Sequence, residues 1–171
     1  MKNKILFLIG CGLLSTLPYN STAQEKPAEE TTRQIQQIAA NIPTHPEEAA
    51  QQFHELLKGK NKKNVSLLVA VGNAYLSHNS LDEAQTYADK ALKTEPRSAE
   101  ACVLAGDIAL ARKKVGEACG YYEQAILFDA DCNEAYYKYA RAYIGVNPSL
   151  SVEMLTKLKA RHPEQADVDR E

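Results

Sequence analysis

The chain has 171 residues, 44% of them hydrophobic and 25% charged, with 20 basic side chains against 22 acidic ones. That length suffices for one domain with a sizeable core, and the composition is that of a soluble globular protein. A mildly acidic balance without a large basic cluster excludes the electrostatic footprint of a nucleic-acid binder. Glycine and proline are sparse, tryptophan is absent, and no stretch alternates as a strand would. An all-α chain is expected.

Met1–Ala23 reads as a targeting segment. Lys2 and Lys4 give it a positive start, Ile5–Leu17 is apolar but short for a membrane span, and Pro18 breaks the run. Ser21, Thr22 and Ala23 supply the small residues a signal peptidase reads, so cleavage after Ala23 and export to a bacterial periplasm are expected. A rival reading takes Leu8-Ile9-Gly10-Cys11 as a lipobox and anchors the protein through a lipid on Cys11. The few apolar residues before that point, and the apolar run continuing past it, weigh against it. Loss of Lys2 and Lys4 leaves 18 basic against 22 acidic residues, a net of −4.

Residues 24–31 (QEKPAEET) have almost nothing to bury and read as a short disordered spacer. Ile35, Ile38, Ala39 and Ile42 recur at helical spacing and predict a helix over Thr32–Asn41, ended by Pro43. Thr44 and Glu47 have capping-box spacing, ahead of a helix over Glu47–Lys58 that turns Ala49, Ala50, Phe53, Leu56 and Leu57 inward. Gly59 stops that helix. A basic turn, Gly59–Asn64 (GKNKKN), closes a degenerate first pair spanning residues 32–64.

From Val65 one 34-residue block is written twice. Setting Val65–Ser98 over Ala99–Cys132 gives seven identities: Val69/Val103, Gly72/Gly106, Leu76/Leu110, Glu83/Glu117, Ala84/Ala118, Tyr87/Tyr121 and Ala91/Ala125. A fixed period of this size marks stacked helix-turn-helix units, none able to bury its apolar face alone. In the first block Asn64 can cap a helix over Val65–Ser77, and Ser80 with Glu83 can cap a return helix to Thr94. Gly72 and Ala84 are small where the two helices cross. The second block (residues 99–132) predicts Ala99–Lys113 and Val115–Phe128, with Gly120 in mid-helix as either a close approach or a weak point.

A further block, residues 133–166, is one residue short, with the deletion placed in the turn before Pro148. Asp131 and Glu134 open it; Tyr136, Tyr139, Ala140 and Tyr143 fall on its core side. Leu150, Met154, Leu155 and Leu158 form the inward face of its return helix, which Pro163 terminates; residues 167–171 are a tail. Tyr136, Tyr137, Tyr139 and Tyr143 cannot all point inward from one helix. Self-association through this C-terminal repeat, or cover by the next repeat of a longer array, is therefore expected.

The period and the spacing of Gly72, Tyr75, Ala84, Ala91 and Pro96, echoed by Gly106, Ala118, Tyr122 and Ala125, resemble the tetratricopeptide repeat (TPR) family. Ala109 and Ala130 depart from it, standing where the family carries a tyrosine and a closing proline. The resemblance covers Val65 to about Gln165 well and Thr32–Asn64 loosely. It implies an α-solenoid of antiparallel helix pairs, wound as a right-handed superhelix, that acts as an interaction scaffold. In that family the first helix of each pair lines a concave groove for a partner protein or peptide. Carried over block by block, the groove would hold Val69, Asn73 and Leu76, then Val103, Leu104, Asp107 and Leu110, then Tyr137, Lys138 and Arg141. Some members clamp a peptide's terminal carboxylate there. Here only Asn73 matches at its place, and Val69 and Leu104 stand where polar ligands would be needed, so no such clamp is expected.

Little else carries chemistry. Cys102, Cys119 and Cys132 are spaced by 17 and 13 residues, unlike a CxxC redox pair or a zinc site. Cys102 and Cys119 fall at opposite ends of one antiparallel pair, beyond the ~7 Å Cα limit for a disulfide. They read as small buried apolar residues. His45, His54, His78 and His162 have no ligand spacing and no acid placed to orient one as a base. No enzyme, cofactor or metal site is expected. The reading is an exported interaction module. An alternative from another class is an accessory factor in redox or haem-protein maturation with functional cysteines.

Overall fold

The computed structural model describes residues 22–161, with side chains over 29–160. The leader up to residue 21 with its Cys11, together with His162, Pro163 and the tail, lies outside the described residues. Among the described residues every regular element is helical: α1 Thr22–Ala39, α2 Pro46–Leu56, a 3-10 turn Gly59–Lys63, α3 Val65–Ser77, α4 Leu81–Thr94, α5 Ala99–Ala111, α6 Val115–Phe128, α7 Asn133–Tyr143 and α8 Pro148–Arg161. None of these helices is long and apolar enough to cross a membrane.

Helices of 11–14 residues are marginal alone in water, so their stability comes from stacking. The closest neighbours are the two members of each pair, α3/α4, α5/α6 and α7/α8. Each second helix then packs on the first helix of the next pair, α4 on α5 and α6 on α7, and the first helices α3, α5 and α7 run side by side. The result is an α-solenoid of antiparallel pairs.

The repeat is structural as well as textual. The turn after α3 closes with Ser80 N donating to Tyr75 O at 3.0 Å, and the turn after α5 with Lys114 N donating to Ala109 O at 2.9 Å. Both turns carry their left-handed residue at the same place, Asn79 (φ 58°) and Lys113 (φ 63°). At the helix crossings Gly72, Gly106 and Ala140 share one register on the first helices, and Ala84, Ala118 and Ser151 share one on the return helices. Ser151 matches the two alanines only with one residue missing before Pro148. It is buried as they are, and its hydroxyl donates to Ala140 O at 2.8 Å, which satisfies the polar atom inside the crossing.

Several local expectations change. The helix α1 begins at Thr22, so residues 24–31 are helical rather than a disordered spacer, although Glu29 and Glu30 are exposed as a solvated stretch requires. Asn64 caps α3 and Ser98 caps α5, their side chains accepting from Leu67 N at 3.0 Å and Ala101 N at 3.2 Å. Ser80 does not cap α4. Its ψ of 71° stops short of the extended backbone of Asn64 (104°) and Ser98 (114°), and its hydroxyl makes no cap bond. Thr44 and Asp131 each lie one residue outside the N-cap, which falls on His45 and Cys132. Ala50 is exposed, while Ala49 and Phe53 are fully buried.

The first pair joins the rest differently. The links after α4 and α6 (residues 95–98 and 129–132) each have four residues, whereas residues 57–64 form a link of eight that contains the 3-10 turn. Across this wider gap Phe53 of α2 tilts against Tyr75 of α3 at 5.3 Å between centroids, and within the next pair Tyr75 stacks on Tyr87 of α4 at 5.6 Å. Offset aromatic pairs at this separation add to plain area burial.

Candidate functional site

The first helices α3, α5 and α7 present the same repeat positions next to one another. Ser66 and Glu100, 34 residues apart, meet between them: Ser66 Oγ donates to Glu100 Oε2 at 3.0 Å from α3 to α5. On this face Asn73, Tyr137 and Arg141 are exposed, and Leu76, Asp107, Leu110 and Lys138 are half-buried. The Arg141 guanidinium lies 5.6 Å from the centre of the Tyr137 ring, in cation–π range.

Three of the residues assigned to the face from the repeat register belong to the core. Leu104 is 1% exposed, and its Cδ2 occupies the space over Gly72, where an added β-carbon would stand 2.5 Å away. Val103 packs with Cys102, Ala125 and Ala135, and Val69 joins the main cluster. Solenoid stacking consumes these side chains, so no partner reaches them. What remains accessible is the row Asn73, Leu76, Asp107, Leu110, Tyr137, Lys138 and Arg141.

Two of that row are already tied together. Tyr122 of α6 donates its hydroxyl hydrogen to Asp107 Oδ1 at 2.8 Å, and Lys138 of α7 pairs with the other oxygen of the same carboxylate. Lys138 also reaches Glu134 at 2.7 Å. Burial by itself would lower the Lys138 ammonium, but the hydrogen bonds and charges of Asp107 and Glu134 outweigh it and hold its pKa above the usual value. Burial, reinforced by Asp107, raises the Tyr122 hydroxyl well above the ordinary phenol range. A second link, Tyr139 to Glu123 at 2.6 Å, joins α7 to α6. Asp107 thus joins three consecutive helices, a role its place in the repeat does not reveal. The meeting of Ser66 and Glu100 follows from the repeat, since each stands second in its block.

Cys102 and Cys119 are buried, Cys132 is half-buried, and all three are free thiols. Burial pushes each of them up from the ordinary thiol value, the reverse of what an activated thiolate requires. Cys102 and Cys132 share one apolar cluster with Val103 and Ala125. Among the described residues no three His, Cys, Asp or Glu side chains gather to hold a metal ion.

No protein-family model matches the chain, and no curated protein is similar to it in sequence. Solved structures are similar to it in fold. A crystal structure of MamA aligns with a TM-score of 0.57 at 22% identity, over 67% of this chain and 67% of that one. A second MamA crystal structure, also at TM-score 0.57 and 22% identity, covers 79% and 75%. The structure MamA MSR-1 C2 aligns at TM-score 0.57 and 12% identity over 84% and 92%. At these identities the likeness speaks to architecture: this chain is an all-α, TPR-like solenoid of antiparallel helix pairs.

Proposed function

We propose that this chain is an exported member of the tetratricopeptide repeat family that holds a partner protein or peptide against the face of α3, α5 and α7. The observation that carries the reading is the accessible row on that face, with Asn73 exposed on α3, Tyr137 and Arg141 exposed on α7, and Asp107 and Leu110 half-buried on α5 between them. Repeat solenoids offer such extended surfaces for binding, and tyrosine and arginine are enriched in interface cores. The fold shared with MamA supports a scaffold role. Export rests on the leader, Lys2 and Lys4 ahead of an apolar run and small residues up to Ala23. The test is affinity capture from native cells with the unaltered chain and with Asn73→Ala/Arg141→Ala. The double variant should keep its thermal midpoint and lose the partner; undiminished capture would move the site elsewhere.

Self-association through the C-terminal pair is a second reading, favoured by one observation. Val152 and Leu155 of α8 are 63% and 42% exposed, yet their register partners Cys119 and Tyr122 in α6 are buried at 2% and 0%. Ile144 and Val146 in the preceding turn are 66% and 69% exposed. Among the described residues nothing covers this apolar face, and another copy of the chain would bury it. Light scattering behind a sizing column should show a concentration-dependent dimer that Val152→Glu/Leu155→Glu abolishes. A monomer at every concentration would overturn this reading.

A further inference from the structure

The eight-residue link that sets α2 apart from α3 also opens a cleft of about 750 Å³, bounded by α2, the link, the buried side of α3 and α4. None of its lining residues belongs to the first-helix face. Lys58, Lys62, Lys63, Lys90 and Lys93 stand around it, and no aspartate or glutamate lines it. All five are exposed. Lys58 has a partner in Glu55 at 2.6 Å, and Lys90 lies 4.6 Å from the centre of the Tyr87 ring. Among the described residues no carboxylate forms an ion pair with Lys62, Lys63 or Lys93. The floor is different. Leu68 and Tyr87, 3% and 9% exposed, and half-buried Leu57 form an apolar base under the charged rim.

The link is built to hold this arrangement. Gly59 takes the left-handed conformation (φ 60°) that starts it, where a β-carbon would be strained. The Asn61 side-chain amide donates to Leu56 O at 2.9 Å, and Asn64 caps α3. Lys62 and Lys63 therefore approach Lys90 and Lys93 on an ordered turn. With Lys58 paired to Glu55, the other four like charges around one concavity repel one another, and the apolar floor focuses their potential outward. In a chain of net charge −2 this is a local reversal of sign.

We infer that the cleft is a second binding site, for an acidic peptide segment that inserts one apolar side chain between the lysines. Three features favour that occupant. Lysine presents a point charge that accepts a carboxylate in many directions, whereas a phosphate reader leans on the fixed fork of arginine, and no arginine lines the cleft. The base Leu57, Leu68 and Tyr87 offers nothing to a bare anion but buries an apolar anchor, the usual source of affinity in a peptide site. The volume falls in the range of concave ligand sites, and a flat lipid surface cannot reach its floor.

The probe is a capped, fluorescein-labelled Glu-Glu-Phe-Glu-Glu peptide titrated with the full chain and read by anisotropy. Lys62→Glu/Lys63→Glu and Lys90→Glu/Lys93→Glu should each weaken binding about tenfold or more. Lys159→Glu, on α8 and outside the cleft, should leave it within about twofold, and replacing the probe's phenylalanine by alanine should weaken it. Equal loss from Lys159→Glu would reduce the effect to net charge and overturn the proposal. So would tighter binding of phosphatidylglycerol vesicles or a single-stranded oligonucleotide, or displacement of the peptide by millimolar inorganic phosphate. Should a double variant lose its thermal midpoint, amide shift mapping on the unaltered chain decides: shifts over residues 57–63 and 87–94 support the site, and shifts over α5 and α7 refute it.

Discussion

Gly106 lies against the ring of Tyr122: a β-carbon built on the glycine would stand 2.5 Å from Cε1 and 2.8 Å from Cδ1. The ring cannot yield, because Tyr122 is fully buried and its hydroxyl is bonded to Asp107. Gly106→Ala should therefore destabilise the chain by about 1–3 kcal/mol through overpacking. Gly120, by contrast, has open space around its α-carbon in mid-helix. It is a weak point and not a close approach, and Gly120→Ala should stabilise by about 1 kcal/mol from helix propensity. Thermal midpoints that move in the same direction for both variants would show that the crossing has been misplaced.

Asp107→Ala removes the acceptor of a buried tyrosine hydroxyl and one partner of Lys138. Leaving such groups unsatisfied costs about 1–3 kcal/mol. Asp82 also meets a cation across helices, Arg112 at 2.7 Å, but its side chain is 97% exposed. Asp82→Ala should stay within about 1 kcal/mol of the unaltered chain. Urea denaturation of the two variants checks the contrast; equal losses would deny Asp107 its role in joining α5, α6 and α7.

How much of this was legible follows from where the signals lie. Both Val65–Ser77 and Val115–Phe128 are readable to the residue, because apolar period, flanking turns and the repeat all agree. The helical start of α1 is not. Its residues 24–31 offer no apolar stripe, and the helix formers Glu, Ala and Lys there carry propensity alone. The small crossing positions Gly72, Gly106 and Ala84 are readable from the repeat. The burial of Leu104 is not, since the space it fills over Gly72 belongs to the preceding pair. The lysine cleft is invisible to spacing too: Lys62 and Lys93 are 31 positions apart, and only the stacking of pairs brings their segments together.

Alkaline pH should unfold the chain through its buried tyrosines. Burial, with smaller contributions from Tyr87 and Glu83, raises Tyr75 from 10.0 to about 12. The folded state keeps a proton that the unfolded chain releases near pH 10. The contribution is thus complete below pH 10 and lost as the pH rises toward 12. Burial and the carboxylates of Asp107 and Glu123 raise Tyr122 and Tyr139 with the same sign. Urea midpoints should fall steeply above pH 10, and less steeply in Tyr75→Phe. A flat profile there would contradict the burial of these hydroxyls.

Cys102, Cys119 and Cys132 should react slowly with a disulfide reagent at neutral pH, since burial both shields them and keeps them protonated. Reaction should speed up on unfolding in guanidinium. A fast phase in the folded chain at pH 7 would instead favour the reading with functional thiols.

Site-specific photo-crosslinking in native cells tests the central claim most directly. A photoreactive residue at position 73 or 141, on the first-helix face, is compared with one at position 86 or 124 on the exposed sides of α4 and α6. The account predicts a discrete cross-linked partner from positions 73 and 141 and none from 86 and 124. Cross-links from 86 and 124 alone would contradict it.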